Sequence, residues 1–350
     1  FFEFMKKILF VCGSPPHPTH KLFAESVGAD FYYCGSGGVK EVFSKLLKMP
    51  REYDIYFTEG LFTFAVLSKW IGRIKKSSKI VNLFSDPRLY QIINNIKFNS
   101  RSLKLKKYNF LKKFFIKCFI KKVDGAICVG KYERSLLEKV NPVVPTKVVY
   151  PLIDRGEFFN TSVRMDKNNI TFIGNGPDYY YKGVDYILEL FEKVKSEVPK
   201  TELFIIGKDW ENYQKNVIVP EGINFLGKKN AKEIISFFEK SSLFCHFGRG
   251  EAFGVTVLEA MATGLPVILS NETGAKEVVN QVDKNYIVEI EDIEGTVSKI
   301  VNYLKKSKQD KIKISKQFKK IAESYQKRDL IKLFKSEFNQ LVKELYKDEN

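Results

Sequence analysis

The sequence is poor in the residues that hold metals. Three histidines and five cysteines (Cys12, Cys34, Cys118, Cys128, Cys245) are scattered through 350 residues, and no two cysteines form a Cys-x-x-Cys pair. Structural zinc needs clustered cysteine and histidine, so a zinc site is disfavoured. An odd number of widely spaced cysteines suits reduced, buried thiols in a cytosolic protein, not a disulfide scaffold. No clear Asp-x-Asp site is present. No apparent strand runs into Gly-x-Gly-x-x-Gly, which disfavours a Rossmann dehydrogenase. No apolar run reaches the ~18–20 residues that span a bilayer. The stretch Ile8 to Cys12 is too short for a secretory leader and reads as a buried strand. Phe1 to Phe4 precede a start-like Met5-Lys6-Lys7 and are set aside from the fold reading.

Apolar residues and positive charge are plentiful. Hydrophobic residues make up 44%, enough for two sizeable cores, and the length favours two domains. The net charge of +17 points to an anionic partner: a nucleotide, a membrane surface or a nucleic acid. A general lysine bias is the plainer explanation. The charge is concentrated, however. Residues 97–122 hold ten basic residues and no acidic one. Within them Phe110, Leu111, Phe114, Phe115, Cys118 and Phe119 share one helical face, with Lys112, Lys113, Lys117 and Lys121 beside or opposite it. Such a helix suits an anionic membrane surface. It equally suits a core helix with a solvated lysine face, and both readings stay open. Nucleic acid is the weaker partner, because no recognition motif accompanies the charge.

Short apolar strands alternate with helical patterns along most of the chain, as in parallel α/β layers. Strands are expected at Lys7–Cys12, Ile55–Thr58, Lys79–Phe84, Gly125–Val129 and Lys147–Tyr150, with a helix from Tyr132 to Val140. After Pro151 the pattern restarts. Strands are expected at Asn169–Gly174, Glu202–Gly207, Ile223–Gly227, Leu243–Phe247 and Pro266–Ser270. Helices are expected at Gly183–Glu197, Ala231–Lys240, Val255–Thr263 and Ala275–Asn280, with a helical, lysine-rich tail from Lys311 to Lys347. Two Rossmann-like domains facing each other across a cleft are the expected architecture. They would span residues 5–150 and 151–325, with a helix of about 326–350 packing back on the first.

Residues 249–268 carry the most chemistry. Glu251 sits in a loop after an apolar strand, and Glu259 lies eight residues on, one turn into the next helix. Gly254 permits a tight turn. The following amides open a helix whose unpaired N–H groups and dipole suit a diphosphate. One carboxylate can reach a sugar hydroxyl, and the other can accept two hydrogen bonds from a ribose diol. For a lone glutamate, a solvated acid on an ordinary helix would be the better reading.

The text EAFGVTVLEAMATGLPVILSNETGAKEVV, beginning at Glu251, resembles glycosyltransferase family 4, and Glu251 to Glu259 matches the E-x7-E signature of retaining GT-B enzymes. The resemblance implies a GT-B fold and a donor bound mainly by the C-terminal half. Glu251 would contact the donor sugar and Glu259 the ribose. Ala252 and the amides of Phe253, Gly254, Val255 and Thr256 would line the sugar and phosphates. It also implies retention at the anomeric carbon, attack from the leaving-group face, the diphosphate as base, and no bound metal or other cofactor. The co-substrate would be a sugar of the UDP or GDP type.

A second matching element surrounds Lys182-Gly183, read as a helix start beyond a strand glycine. A cation is unfavourable at a helix N-terminus unless an anion compensates it. Lys182 would neutralise the departing diphosphate. The family pattern carries an arginine directly after the strand glycine, with a shorter loop to the lysine. Here Asn175 stands in that place, and Arg249, Lys208 after Gly207, or the Gly227-Lys228-Lys229 loop are the substitutes to weigh. In the N-terminal half, Gly13 and Ser14 should approach the donor. His17, His20, Glu59 and Asp86 are the acceptor-side candidates, with Asp86 as a third catalytic candidate beside Glu251 and Lys182. An Asp-Pro turn is the structural alternative for Asp86.

The expectation is thus sugar transfer from a nucleoside diphosphate sugar to a hydroxyl of a glycan or lipid-linked acceptor, by a cytoplasmic enzyme peripheral at the membrane face. A GT-B epimerase or phosphorylase, or a catalytically silent nucleotide-sugar or membrane-binding module, are the rivals.

Overall fold

The computed structural model describes residues 6–13, 15–35, 39–98, 106–153, 156–214 and 219–347. The chain divides into two compact units. The first comprises Phe1–Asn95, Tyr108–Asp154 and Lys327–Asn350, and the second Ile96–Lys107 and Arg155–Gln326.

The first unit contains β1 (Ile8–Cys12), α1 (Pro18–Ser26), β2 (Asp30–Tyr33), α2 (Val39–Lys48), β3 (Ile55–Glu59), α3 (Phe62–Trp70), β4 (Lys79–Phe84) and α4 (Arg88–Asn94). The short strands β5 (Ile96–Lys97) and β6 (Lys106–Lys107) pair as an antiparallel ribbon that falls with the second unit, where Phe98 packs on Tyr181 at 4.9 Å. The first unit resumes with α5 (Phe110–Ile120), β7 (Gly125–Cys128), α6 (Lys131–Glu138) and β8 (Thr146–Val148). Its six-stranded sheet has the order β2-β1-β3-β4-β7-β8, all pairs parallel.

The second unit contains β9 (Ile170–Ile173), α7 (Tyr179–Lys182), α8 (Val184–Glu197), β10 (Leu203–Ile206), α9 (Glu211–Gln214), β11 (Ile223–Phe225) and α10 (Ala231–Glu239). It continues through β12 (Leu243–His246), α11 (Val255–Ala262), β13 (Val267–Ser270), α12 (Lys276–Val279), β14 (Ile287–Val288), α13 (Ile293–Leu304) and α14 (Lys308–Ala322). Its order is β11-β10-β9-β12-β13-β14, again all parallel. The chain ends with α15 (Lys327–Leu345), which belongs to the first unit and packs there on α1 and β8.

The sequence dictates these sheets simply. Strands β1, β10, β12 and β13 are buried along their whole length, because a parallel sheet is covered on both faces. In the second unit the core gathers Phe172, Ile187, Leu190, Phe191, Ile205 and Phe247 under α8. In the first, Phe23 of α1 stacks on Phe334 of α15 at 4.3 Å, and Phe57 of β3 meets Phe338 at 5.2 Å. These aromatic contacts hold the final helix on the sheet.

Several expectations need correction. A helix not expected from the sequence follows β1: His17 caps α1 and His20 lies within it. Lys182-Gly183 does not begin a helix. Lys182 ends the short α7, and Gly183 breaks the chain at φ 74° before α8 starts. The helical tail is two helices, parted at Glu323–Gln326. Helix α5 is not a core helix: only Ile120 is buried in it, and Phe110, Leu111, Phe114 and Phe115 are 78%, 63%, 55% and 57% exposed. Among the described residues, no helix is long and apolar enough to cross a membrane, and no cluster of three metal-type ligands occurs.

Candidate active site

Strand order locates the site in the second unit. The chain builds β9, β10 and β11 outward in one direction, then returns to place β12 on the other side of β9. Loops leaving neighbouring strands in opposite directions open a crevice at the carboxyl ends of β9 and β12, where ligands of such sheets bind. Gly174 and Lys182 follow β9, and Glu251 follows β12.

These residues meet there. Lys182 Nζ donates to Glu251 Oε1 at 2.6 Å, and His246 Nε2 lies 2.8 Å from Glu251 Oε2. The approach depends on Gly183, because a Cβ at that position would sit 2.0 Å from the carbonyl oxygen of Phe247. The loop is fixed on its other side by pairing with the turn after β13. Glu251 bridges Thr273, the Gly274 amide donates to the Glu251 carbonyl at 2.9 Å, and the Ala275 amide to that of Phe253 at 2.8 Å. Glu251 is 8% exposed. Burial alone would push its carboxyl up, but the charge of Lys182 and the bonds from His246 and Lys182 outweigh it and hold the group well below the usual carboxylate range. One ammonium donor is thereby used, while an ammonium carries three and a carboxylate can accept about four bonds. Both groups retain capacity for a ligand.

Helix α11 begins four residues after Glu251. Gly254 caps it at φ 91°, no side chain among the described residues caps its start, and its first turn holds no acid. Its amide donors and dipole are therefore well disposed toward an outside anion. Val255, Thr256 and Glu259 are the partly exposed positions of this otherwise buried helix. Spacings of three and four put them on one face, so Glu259 shares that face with the helix start.

The loops after β9, β10 and β11 are tied together. Asn175 Oδ1 accepts from the Lys208 amide at 3.1 Å, the Gly176 amide donates to the Lys208 carbonyl at 2.9 Å, and the Gly207 amide to that of Gly227 at 3.0 Å. Asn175 thus braces a loop. Lys208 Nζ lies 3.5 Å from Asp209 on the surface, and Lys228 is exposed beyond β11. Arg249 points elsewhere: its NH1 donates to Asp185 at 2.7 Å and to the Tyr180 carbonyl at 2.6 Å, with the guanidinium 4.0 Å from the Tyr180 ring. It locks α7 to α8 and is already paired.

The first unit has its own reversal, between β1 and β3. Gly13 follows β1, and Glu59 ends β3 opposite Cys12. His20 Nδ1 lies 2.6 Å from Glu59 Oε1, and the His17 ring is 5.6 Å from that of His20. His17 Nδ1 accepts the Thr19 amide at 3.3 Å. Asp86 accepts the Arg88 amide at 2.8 Å and pairs with its guanidinium at 3.3 Å, while Arg88 also donates to the Gly60 carbonyl at 2.8 Å. Asp86 is therefore held by α4, as in the Asp-Pro alternative. Ser14 lies outside the described residues.

His246 was not among the expected site residues. Its signal was a polar side chain closing an apolar strand five residues before Glu251, in a chain with only three histidines.

The chain is similar to known proteins in sequence and in fold. Residues 154–325 match the family of glycosyl transferases group 1. The chain is 24% identical over 245 residues to the alpha-monoglucosyldiacylglycerol synthase of Streptococcus pneumoniae, covering 65% of this chain and 54% of the synthase. It is 25% identical over 303 residues to an Escherichia coli UDP-Gal:alpha-D-GlcNAc-diphosphoundecaprenol alpha-1,3-galactosyltransferase, covering 77% of this chain and 72% of that enzyme. It spans only 38% and 54% of the length of two of the curated relatives it matches. Anabaena HepE, solved in complex with UDP and glucose, superposes with a TM-score of 0.69 at 14% identity over 97% of this chain and 100% of HepE. Residues 154–325 thus resemble the glycosyl transferases group 1 family, in a chain of the two-unit, Rossmann-like GT-B fold.

Proposed function

We propose that this protein is a retaining glycosyltransferase of family 4 that moves a sugar from a UDP- or GDP-type donor to an acceptor hydroxyl. The observation that carries the proposal is the Lys182–Glu251 pair, 2.6 Å apart, beside the uncapped start of α11. The acceptor oxygen bonds to the anomeric carbon as the bond from that carbon to the phosphate oxygen breaks. The diphosphate leaves with the electron pair and takes the acceptor proton. Lys182 and the amides of Val255 and Thr256 meet the charge that grows on it, a use of preorganised donors that lowers barriers strongly. Glu251 holds a donor-sugar hydroxyl, and Glu259 holds the ribose diol. The printed names of the galactosyltransferase and HepE support a UDP-type donor. Incubation with UDP-glucose, UDP-galactose, UDP-N-acetylglucosamine or GDP-mannose and simple lipid or sugar acceptors, with the product anomer read by NMR, tests this. The expected product keeps the donor's α configuration, and a β product overturns retention.

The acceptor is lipid-linked, and the protein meets it at an anionic, cytoplasmic membrane face. Two observations support this. The names of both relatives concern a lipid or a lipid-linked sugar. On the first unit, the exposed aromatics of α5 lie beside α3, whose end carries Trp70 and Ile71 at 73% and 53% exposure. Lys112, Lys113, Lys117, Lys121 and Lys122 surround them, and each lysine near an anionic surface adds about 1 kcal/mol. Sedimentation with phosphatidylglycerol-containing vesicles should carry the protein down, and pure phosphatidylcholine should do so far less. Phe114→Ser with Phe115→Ser should weaken the capture about tenfold or more, since burying each ring contributes roughly 1.5–3 kcal/mol. Equal capture by both vesicle types contradicts this assignment.

A further inference from the structure

His246 is 1% exposed and makes one hydrogen bond, from Nε2 to Glu251 Oε2. Among the described residues its buried Nδ1 has no partner. A histidine kept for packing would cost less as an aliphatic residue, because an orphaned buried nitrogen is unfavourable. Its surroundings are shaped to the one bond it makes. The ring lies nearly parallel to Phe244, 26° apart at 6.2 Å. A Cβ at Gly254 would stand 3.2 Å from Nε2, and one at Gly248 would stand 2.8 Å from Glu251 Oε2. Two side chains are thus missing where they would part histidine from glutamate.

Lys182 cannot supply this hold alone. Its ammonium sits on a flexible stem and is drawn both to Glu251 and to any diphosphate beside α11. The imidazole is anchored on a rigid strand and has no such competing anion. We infer that His246 is a positioning residue, which keeps Glu251 aimed at the donor sugar while Lys182 is shared with the diphosphate. This rests on the donor site proposed above.

Calorimetric titration with UDP and UDP-glucose, and with GDP and GDP-mannose, tests the inference on the full chain. In His246→Gln the amide nitrogen can take the place of Nε2. In His246→Asn it reproduces Nδ1 and falls short of Glu251. His246→Asn should bind the bare nucleoside diphosphate within about twofold of the parent and the nucleotide sugar about tenfold more weakly, the weight of one hydrogen bond to a charged group. His246→Gln should keep the sugar-dependent part to within about threefold. Equal losses for diphosphate and nucleotide sugar, equal losses in the two variants, or no loss in His246→Asn would overturn the role of His246 while leaving the donor site standing. If the parent protein binds none of the four ligands, the donor site itself falls, and this inference with it.

Discussion

The two units present the same device in two states of completion. Each reverses its strand order once, and each sets a histidine against a glutamate at that reversal: His20 on Glu59 at 2.6 Å, and His246 on Glu251 at 2.8 Å. In the second unit the other carboxylate oxygen is taken by Lys182, and an uncapped helix start stands next to it. In the first unit the buried Oε2 of Glu59 has no partner among the described residues. The lysine makes the difference. A His–Glu pair can move or steady a proton, whereas an added cation and a helix dipole build a site for a dianion. On the proposed function, the second unit takes the diphosphate and the first the acceptor hydroxyl.

Lys182→Ala should have the largest effect on this contrast. Turnover of the preferred nucleotide sugar should fall roughly 10²–10³-fold, as when an oxyanion donor is deleted. If it falls less than about threefold, the asymmetry between the units has no functional meaning. Next comes Glu59→Gln. It should slow transfer to an acceptor about tenfold, the range of general base assistance at its low end. It should leave UDP-glucose affinity within about twofold, since one hydrogen bond to a charged group is worth about tenfold or more. Loss of donor affinity in that variant would show that the two reversals are not divided in this way.

The smallest effect concerns protons. Glu133 is fully buried in α6, neither carboxyl oxygen has a partner among the described residues, and burial, with the charge of Asp86, raises it well above the ordinary 4.5. Its folded form holds the proton more tightly than the unfolded chain. Its stabilising contribution is therefore full below pH 4.5 and is lost as pH rises through the raised value. Glu133→Gln should raise the melting temperature at pH 8 by roughly 2–4 °C or more, with little change at pH 4. Glu251 has the opposite sign. Its carboxyl is depressed, so its contribution is present above 4.5 and is lost as pH falls through the lower folded value. Glu251→Gln should cost stability at pH 7, and progressively less as pH falls below 4.5. Melting curves of both variants across pH check the pair.

Much of this was legible from residue order, and unevenly so. In the second unit the strands are mainly apolar and end near glycine or polar residues, so β9 to β13 stand close to their expected places. The first unit concealed more. Strand β2 is only partly buried and carries no apolar run of that kind, while α1 starts at Pro18 and turns Thr19 and His20 inward, where no helix is expected from the sequence. Spacing placed Glu251, Glu259 and Gly254 correctly on a loop, a helix and its cap, because each depends on neighbours in sequence. It could not foresee that Arg249 is held by Asp185, 64 positions away, or that α5 turns its phenylalanines outward. Those outcomes depend on tertiary partners.

The central claim is that a diphosphate sugar binds across Lys182, Glu251 and the start of α11. Thermal unfolding with saturating UDP- and GDP-sugars, in the parent protein and in Lys182→Ala, tests it most directly, because a ligand selective for the folded state raises the midpoint. At ~100 times the dissociation constant it adds about 2.7 kcal/mol, a rise of roughly 5–10 °C for a unit of this size. At least one nucleotide sugar should produce that rise in the parent and little of it in Lys182→Ala, each measured against its own ligand-free midpoint. No rise with any of them, or the same rise in both proteins, would contradict the account.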